Sequence, residues 1–139
     1  MEERKIKVLI KEPYKTAVVS EIVDDLKALQ KIVGGYIEVV PFPIVEGVDL
    51  IVNEEGKFQK LDGNIFLPHY DDCVVGTCII ASYNEEGEFE SLSDKQIKQV
   101  NDYIKNFEIK EGYDLYKDFE LLNILMHKRM KEFDNKLFM

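Results

Sequence analysis

The side chains best able to do chemistry crowd into the middle of the chain: His69, Asp71, Asp72 and Cys73, with Asn64 and Tyr70 beside them. Imidazole, carboxylate and thiolate are the usual protein ligands of transition metals, so the first four invite a metal site. Their spacing matches no zinc pattern, and no metal is expected. A nucleophilic pair of Cys73 with His69 has no third group to orient the base. A hydrolase built on His69 with Asp71 or Asp72 has no nucleophile to pair with it. The sequence therefore assigns no catalytic residue and implies no cofactor. What it leaves this stretch is ligand binding, in a cleft near residues 61 to 73, through Asn64, His69, Tyr70, Asp71 and Asp72.

Two near-identical strings also carry paired carboxylates, Asn53-Glu54-Glu55-Gly56-Lys57-Phe58 and Asn84-Glu85-Glu86-Gly87-Glu88-Phe89. Asparagine first and glycine fourth suits a type I turn followed by a left-handed residue, so both strings are expected to turn hairpins. Hairpin tips are wet, and a carboxylate must be partly desolvated before its pKa suits acid or base work. Neither string has the oxygen ligands of an EF-hand. Cys73 and Cys78 lie on one apolar segment at a spacing that puts them on opposite faces of a strand, which predicts two buried free thiols.

The elements that must position these groups follow from periodicity. Ile6, Val8 and Ile10 alternate with lysines, predicting a half-buried strand over residues 5 to 11 with Lys5, Lys7 and Lys11 on the wet face. Thr16 to Val19 reads as a short strand before a helix that starts near Ser20. Ile22, Leu26, Leu29 and Val33 give that helix one apolar face, and Gly34 or Gly35 closes it with a left-handed residue. Strands follow at Tyr36 to Val40 and Val48 to Val52. Ser93-Asp94-Lys95-Gln96 is a capping box framed by the hydrophobic staple Leu92 and Ile97, opening a helix whose face is Ile97, Val100, Ile104 and Phe107. From about Asp114 a last amphipathic helix repeats Phe119, Leu122, Met126, Met130 and Phe133, with Leu121, Ile124 and Leu125 widening the stripe. That surplus is too apolar to leave wet. Period alone allows the helix to pack on its own sheet or to meet a partner chain through Phe119, Leu122, Met126, Met130 and Phe133, and a homo-oligomer is one such arrangement. His127, among lysines and an arginine, reads as a surface residue.

Composition sets the outer bounds. The chain's 139 residues, 45% hydrophobic and 32% charged, suit a folded domain with one core. With 27 acidic against 18 basic side chains the formal charge is -9, which repels a phosphate backbone and argues against nucleic acid. An acidic surface that imitates DNA is the sharper reading of that charge, and solubility the simpler one. The amino end has no apolar signal core and no run of about 18 apolar residues occurs, so a cytoplasmic protein without membrane contact is expected.

The run Asp25 to Glu38, then Asn53-Glu54-Glu55-Gly56-Lys57, Gly76-Thr77 and Ser91 to Gln96, is similar in order and spacing to the family catalogued as domain of unknown function 3846, over residues 5 to 105. The resemblance implies a bacteriophage or mobile-element setting and no settled reaction. Where the family pattern has an Asn-Arg pair, this chain has Asn64-Ile65, which puts an anion-binding arginine in doubt.

The expected architecture is α+β: a mostly antiparallel sheet with two packed helices in a core domain of residues 1 to 107, and an additional C-terminal amphipathic helix in an extension of residues 108 to 139 packed on the core or on a partner chain. The expected function is that of a non-enzymatic phage or mobile-element accessory protein that binds a host component and inhibits a bacterial defence system. The alternative is a protein that binds or sequesters a nucleotide or signalling metabolite.

Overall fold

A computed structural model describes residues 3–137. Its frame is an antiparallel sheet in the order β2-β1-β7-β4-β3, formed by β1 (Lys5–Lys11), β2 (Val18–Val23), β3 (Ile37–Pro41), β4 (Val48–Asn53) and β7 (Cys78–Tyr83), with the two-residue β8 (Phe89–Glu90) paired to β7. β5 (Gly63–Leu67) and β6 (Asp72–Val75) form a separate antiparallel hairpin, joined through a single 3-10 turn at Pro68–Tyr70. Three helices complete the α+β architecture: α1 (Leu26–Val33), α2 (Asp94–Phe107) and α3 (Leu115–Leu137). None of the described helices is long and apolar enough to cross a membrane.

The sheet is covered on both faces. α1 lays Leu29 and Val33 against Ile6, Val8, Ile51, Ile79 and Ala81. The opposite face, with Leu9, Leu50, Cys78 and Ile80, meets the β5–β6 hairpin, α2 and α3 in the larger cluster. Central strands β4 and β7 are therefore buried on both sides, which is why Leu50 to Val52 and Cys78 to Ala81 read as apolar runs without alternation.

Several expectations change here. The helix expected from Ser20 starts at Leu26, because the β-branched residues of Val18–Val23 pair along β1 from Ile10↔Val18 to Lys5↔Val23. Asp25 is its N-cap, accepting a hydrogen bond from the Ala28 backbone at 2.8 Å, and Gly34 closes it at φ 84°. Lys11 is not on a wet face: it is fully buried, its ammonium donating to the Glu12 carbonyl at 3.0 Å with a Glu108 carboxylate oxygen 3.9 Å away. Burial lowers its pKa, the Glu108 charge opposing the shift.

Of the two NEEG strings only the second turns a hairpin, joining β7 to β8 with Gly87 at φ 80°. The first cannot, since β4 is already paired on both edges by β3 and β7, and the chain instead coils away toward β5. Cys73 and Cys78 are buried and free as expected but lie on different strands, β6 and β7, parted by Gly76 at φ 75°.

The capping box forms as read: Gln96 N–H donates to Ser93 Oγ at 3.1 Å and Ser93 N–H to Gln96 Oε1 at 2.9 Å. α2 buries Val100, Tyr103, Ile104 and Phe107. α3 packs back on this core, so the five residues expected to meet a partner face inward: Leu122 and Met126 are buried, and Phe119, Met130 and Phe133 pack against the same cluster.

Candidate functional site

The Pro68–Tyr70 turn divides the expected ligand residues between two sides of the molecule. His69 points into the wall that α2 and α3 make. Its ring lies 6.0 Å from Tyr103 and 6.3 Å from Phe107, and its Nε2 is 3.2 Å from Asp134 Oδ1. Asp71, in the left-handed region at φ 52°, turns its carboxylate to α3, where Asn123 donates to it at 3.3 Å and His127 Nε2 lies 2.5 Å away. Those hydrogen bonds, His127's first, hold the Asp71 carboxyl below the usual value of 3.8. Both histidines of the chain thus join the central turn to α3, and His127 is a docking residue rather than a bystander on the surface.

Tyr70 and Asp72 go the other way. Tyr70 donates to the Pro41 carbonyl at 3.0 Å, and Asp72 accepts from the Cys73 backbone at 2.7 Å while pairing with Lys57. With Glu38 and Glu54 they line a cleft of about 130 Å³ between the β3–β4 edge and β6. Asn64 reaches neither place: it is fully buried, and its Nδ2 donates to the Lys11 and Gly76 carbonyls, both at 2.8 Å. The structure therefore brings together Tyr70 and Asp72, not all five.

The thiols offer little nucleophilicity. Burial pushes Cys73 up to about 11 and Cys78 up to about 12, so both are protonated near neutrality. Among the described residues no three His, Cys, Asp or Glu side chains gather as a metal site.

Sequence reading missed the joint made by Asn53. Its Nδ2 donates to the Val33 carbonyl at the end of α1 at 3.3 Å and its Oδ1 accepts from the Glu55 backbone at 2.9 Å, while Glu54 N–H donates to the Tyr36 carbonyl at 2.9 Å. Gly35 lies directly under it, where a Cβ would stand 3.1 Å from Asn53 Nδ2. Gly56 is similarly pressed, its notional Cβ 2.9 Å from Val75 Cγ2. The available signal was an asparagine ending a strand just ahead of a glycine turn.

A family model described as Domain of unknown function (DUF3846) matches residues 6–108. The chain belongs to this family. The DUF3846 span ends within one residue of α2, so α3 lies outside it. Comparison with curated proteins and with solved structures finds no match. Within the DUF3846 span, the glycine pair after α1, the NEEG string, Gly76 and the Ser93 capping box are all joints between elements. They serve the fold directly. Ile65, where the resemblance had led one to look for an arginine, is fully buried.

The Asp71 contacts give a pH prediction. A carboxyl held below its ordinary value contributes stability that is fully present above that value and is lost as pH falls from there through the lowered value of the folded state. Asp71→Asn retains a residue that tolerates positive φ and removes only the charge. In denaturant titrations the wild type is expected to exceed the variant near pH 7, the gap closing below the usual carboxylate value of 3.8. A gap unchanged by acid would show that the carboxylate's charge plays no part in docking α3.

Proposed function

We propose that this DUF3846 protein is a non-enzymatic accessory protein of a phage or mobile element that binds a bacterial host protein, with components of defence systems as the target class. The observation that carries this reading is the open β3 edge of the sheet, the one of its two open edges that borders the cleft. β3 pairs only with β4; Val39 on it and Tyr36 just before it are exposed, at 44% and 69%. A strand with a free row of backbone donors and acceptors and apolar side chains at hand is a template for an added strand from a partner. Two further features support binding over reaction: the histidines are engaged in holding α3, and the thiols are protonated.

The metabolite-binding alternative would use the neighbouring cleft, whose 130 Å³ is small beside the roughly 300–1,000 Å³ of ordinary ligand sites and whose rim carries Glu38, Glu54 and Asp72. Native mass spectrometry of the purified protein after incubation with host lysate separates the two readings. The expected result is a gain of a whole protein's mass, lost on Val39→Pro, which removes an edge donor and an apolar contact. A gain of only a few hundred daltons that Val39→Pro leaves intact would overturn the host-protein reading in favour of the metabolite.

A further inference from the structure

We infer, building on the strand-addition reading above, that the segment added at β3 is an antiparallel strand of a partner protein that carries an arginine opposite Glu38, its guanidinium entering the cleft. Which backbone groups are free follows from the bonds β3 already makes. Glu54 N–H donates to the Tyr36 carbonyl and Phe42 N–H to the Val48 carbonyl, both at 2.9 Å, so Tyr36, Glu38, Val40 and Phe42 turn their backbone groups to β4. Ile37 and Val39 turn theirs outward. Pro41 ends the row, having no N–H, and its outward carbonyl is already taken by the Tyr70 hydroxyl. An antiparallel strand bonded to Ile37 and Val39 sets one of its residues opposite Glu38 as a non-hydrogen-bonded pair, the kind in which Cα atoms come within about 4.5 Å and side chains lie closest.

The cleft selects that residue. Side chains alternate across β3: Val39 stands opposite Ile51 on the α1 face, whereas Glu38 and Val40 stand opposite Val52 and Leu50 on the face that meets the β5–β6 hairpin. There Val40, Val52 and Val74 line the cleft of about 130 Å³ together with Glu38, Glu54 and Asp72. Lys57 lines it too, but its charge is met by Asp72. Glu38 and Glu54 are exposed, and among the described residues neither enters an ion pair. An apolar wall beside two unmatched carboxylates suits a side chain with an aliphatic stem and a cationic head, and arginine's fork of donors matches carboxylates better than the point charge of lysine. On the other face of the added strand the exposed neighbour is Val39, so the recognised pattern is an arginine between two apolar residues. A second copy of this chain does not supply it: the open edge strands are β2 and β3, and their only charged residues are Glu21 and Glu38.

Labelled peptides test this in fluorescence anisotropy against the full chain. The probe is a short strand alternating valine with threonine, with arginine at its centre; its counterparts carry threonine or glutamate there. The arginine peptide is expected to bind below about 1 mM, and about tenfold or more tighter than the glutamate peptide. Val39→Pro, which removes an outward donor, is expected to abolish binding of the arginine peptide, and Glu38→Lys to remove its advantage over the glutamate peptide. Circular dichroism confirms the fold of both variants, each substitution being at an exposed position. Equal binding of the three peptides, all lost on Val39→Pro, would overturn the choice of arginine and leave strand addition standing. Binding of the arginine peptide that survives Val39→Pro would put the attraction elsewhere on the acidic surface and overturn the inference, as would an advantage that Glu38→Lys leaves intact. Failure of all three peptides to bind at that concentration also overturns it, while the lysate experiment judges the host-protein reading separately.

Discussion

Phe107→Ala is expected to remove about 3–5 kcal/mol of stability, the usual range for emptying a fully buried aromatic site. Phe107 ends α2 with no exposure at all. Its ring centre lies 4.5 Å from Tyr103, 5.4 Å from Phe133 and 6.3 Å from His69. Those neighbours belong to α2, α3 and the Pro68–Tyr70 turn, so the cavity's walls come from three elements that cannot all close on it without moving α3. A domain of this size holds only about 5–15 kcal/mol in total, which leaves the variant folded but marginal. Chemical denaturation measures the loss, and hydrogen exchange locates it: α3 amides are expected to lose protection before those of β1, β4 and β7. Phe107→Leu, which refills part of the space, is expected to cost less than the alanine variant. A loss from Phe107→Ala below about 1 kcal/mol would mean that the cluster re-collapses freely and that something else fixes α3.

What the sequence made legible was local. The capping box at Ser93, the glycine closing α1 and the NEEG turn between β7 and β8 each depend on a few adjacent residues obeying one geometric rule, and each forms where it was read. What it hid was set by pairing at a distance. Ile22 stands four residues ahead of Leu26 and so extends the helical spacing back toward Ser20, but β1 offers Val18 to Val23 a ladder, and strand pairing prevails. Lys11 alternates like the exposed Lys5 and the half-buried Lys7, yet lies where the β5–β6 hairpin folds over the end of β1. The first NEEG string has the same letters as the second, and only the occupation of both β4 edges distinguishes their fates.

The candidate site shows the same division. His69, Tyr70, Asp71 and Asp72 are consecutive, and consecutive residues around a single tight turn point in different directions. That is why two of them meet α3 and two face the cleft beside β3. The inward helical stripe of α3 was legible from period, whereas the outward one needed the core's position to show that Leu121, Ile124 and Leu125 remain uncovered.

Asn64 supplies the second large expected effect. Asn64→Leu keeps a side chain of similar size but removes both donations from Nδ2, leaving the Lys11 and Gly76 carbonyls without that partner in a fully buried setting. A buried acceptor deprived of its donor costs about 1–3 kcal/mol, so a total of about 2–4 kcal/mol is expected. Part of this is offset, because Asn64 Oδ1 itself has no partner among the described residues and that debt disappears with the amide. The two carbonyls belong to different layers, Lys11 to the main sheet and Gly76 to the turn that leaves the β5–β6 hairpin. Their common donor is therefore a clasp between the layers, and its loss is expected to show as faster hydrogen exchange in β5 and β6 before β1 and β7. Asn64→Asp distinguishes a lost donor from lost packing: an ionised carboxylate would turn acceptors toward both carbonyls, so at pH 7 it is expected to be at least as damaging as leucine. A buried carboxyl is held above its ordinary pKa, and the aspartate variant should therefore recover stability as pH falls and the acid regains a donating proton. If Asn64→Leu costs less than about 1 kcal/mol, the two carbonyls find other donors and the layers are held by apolar packing alone.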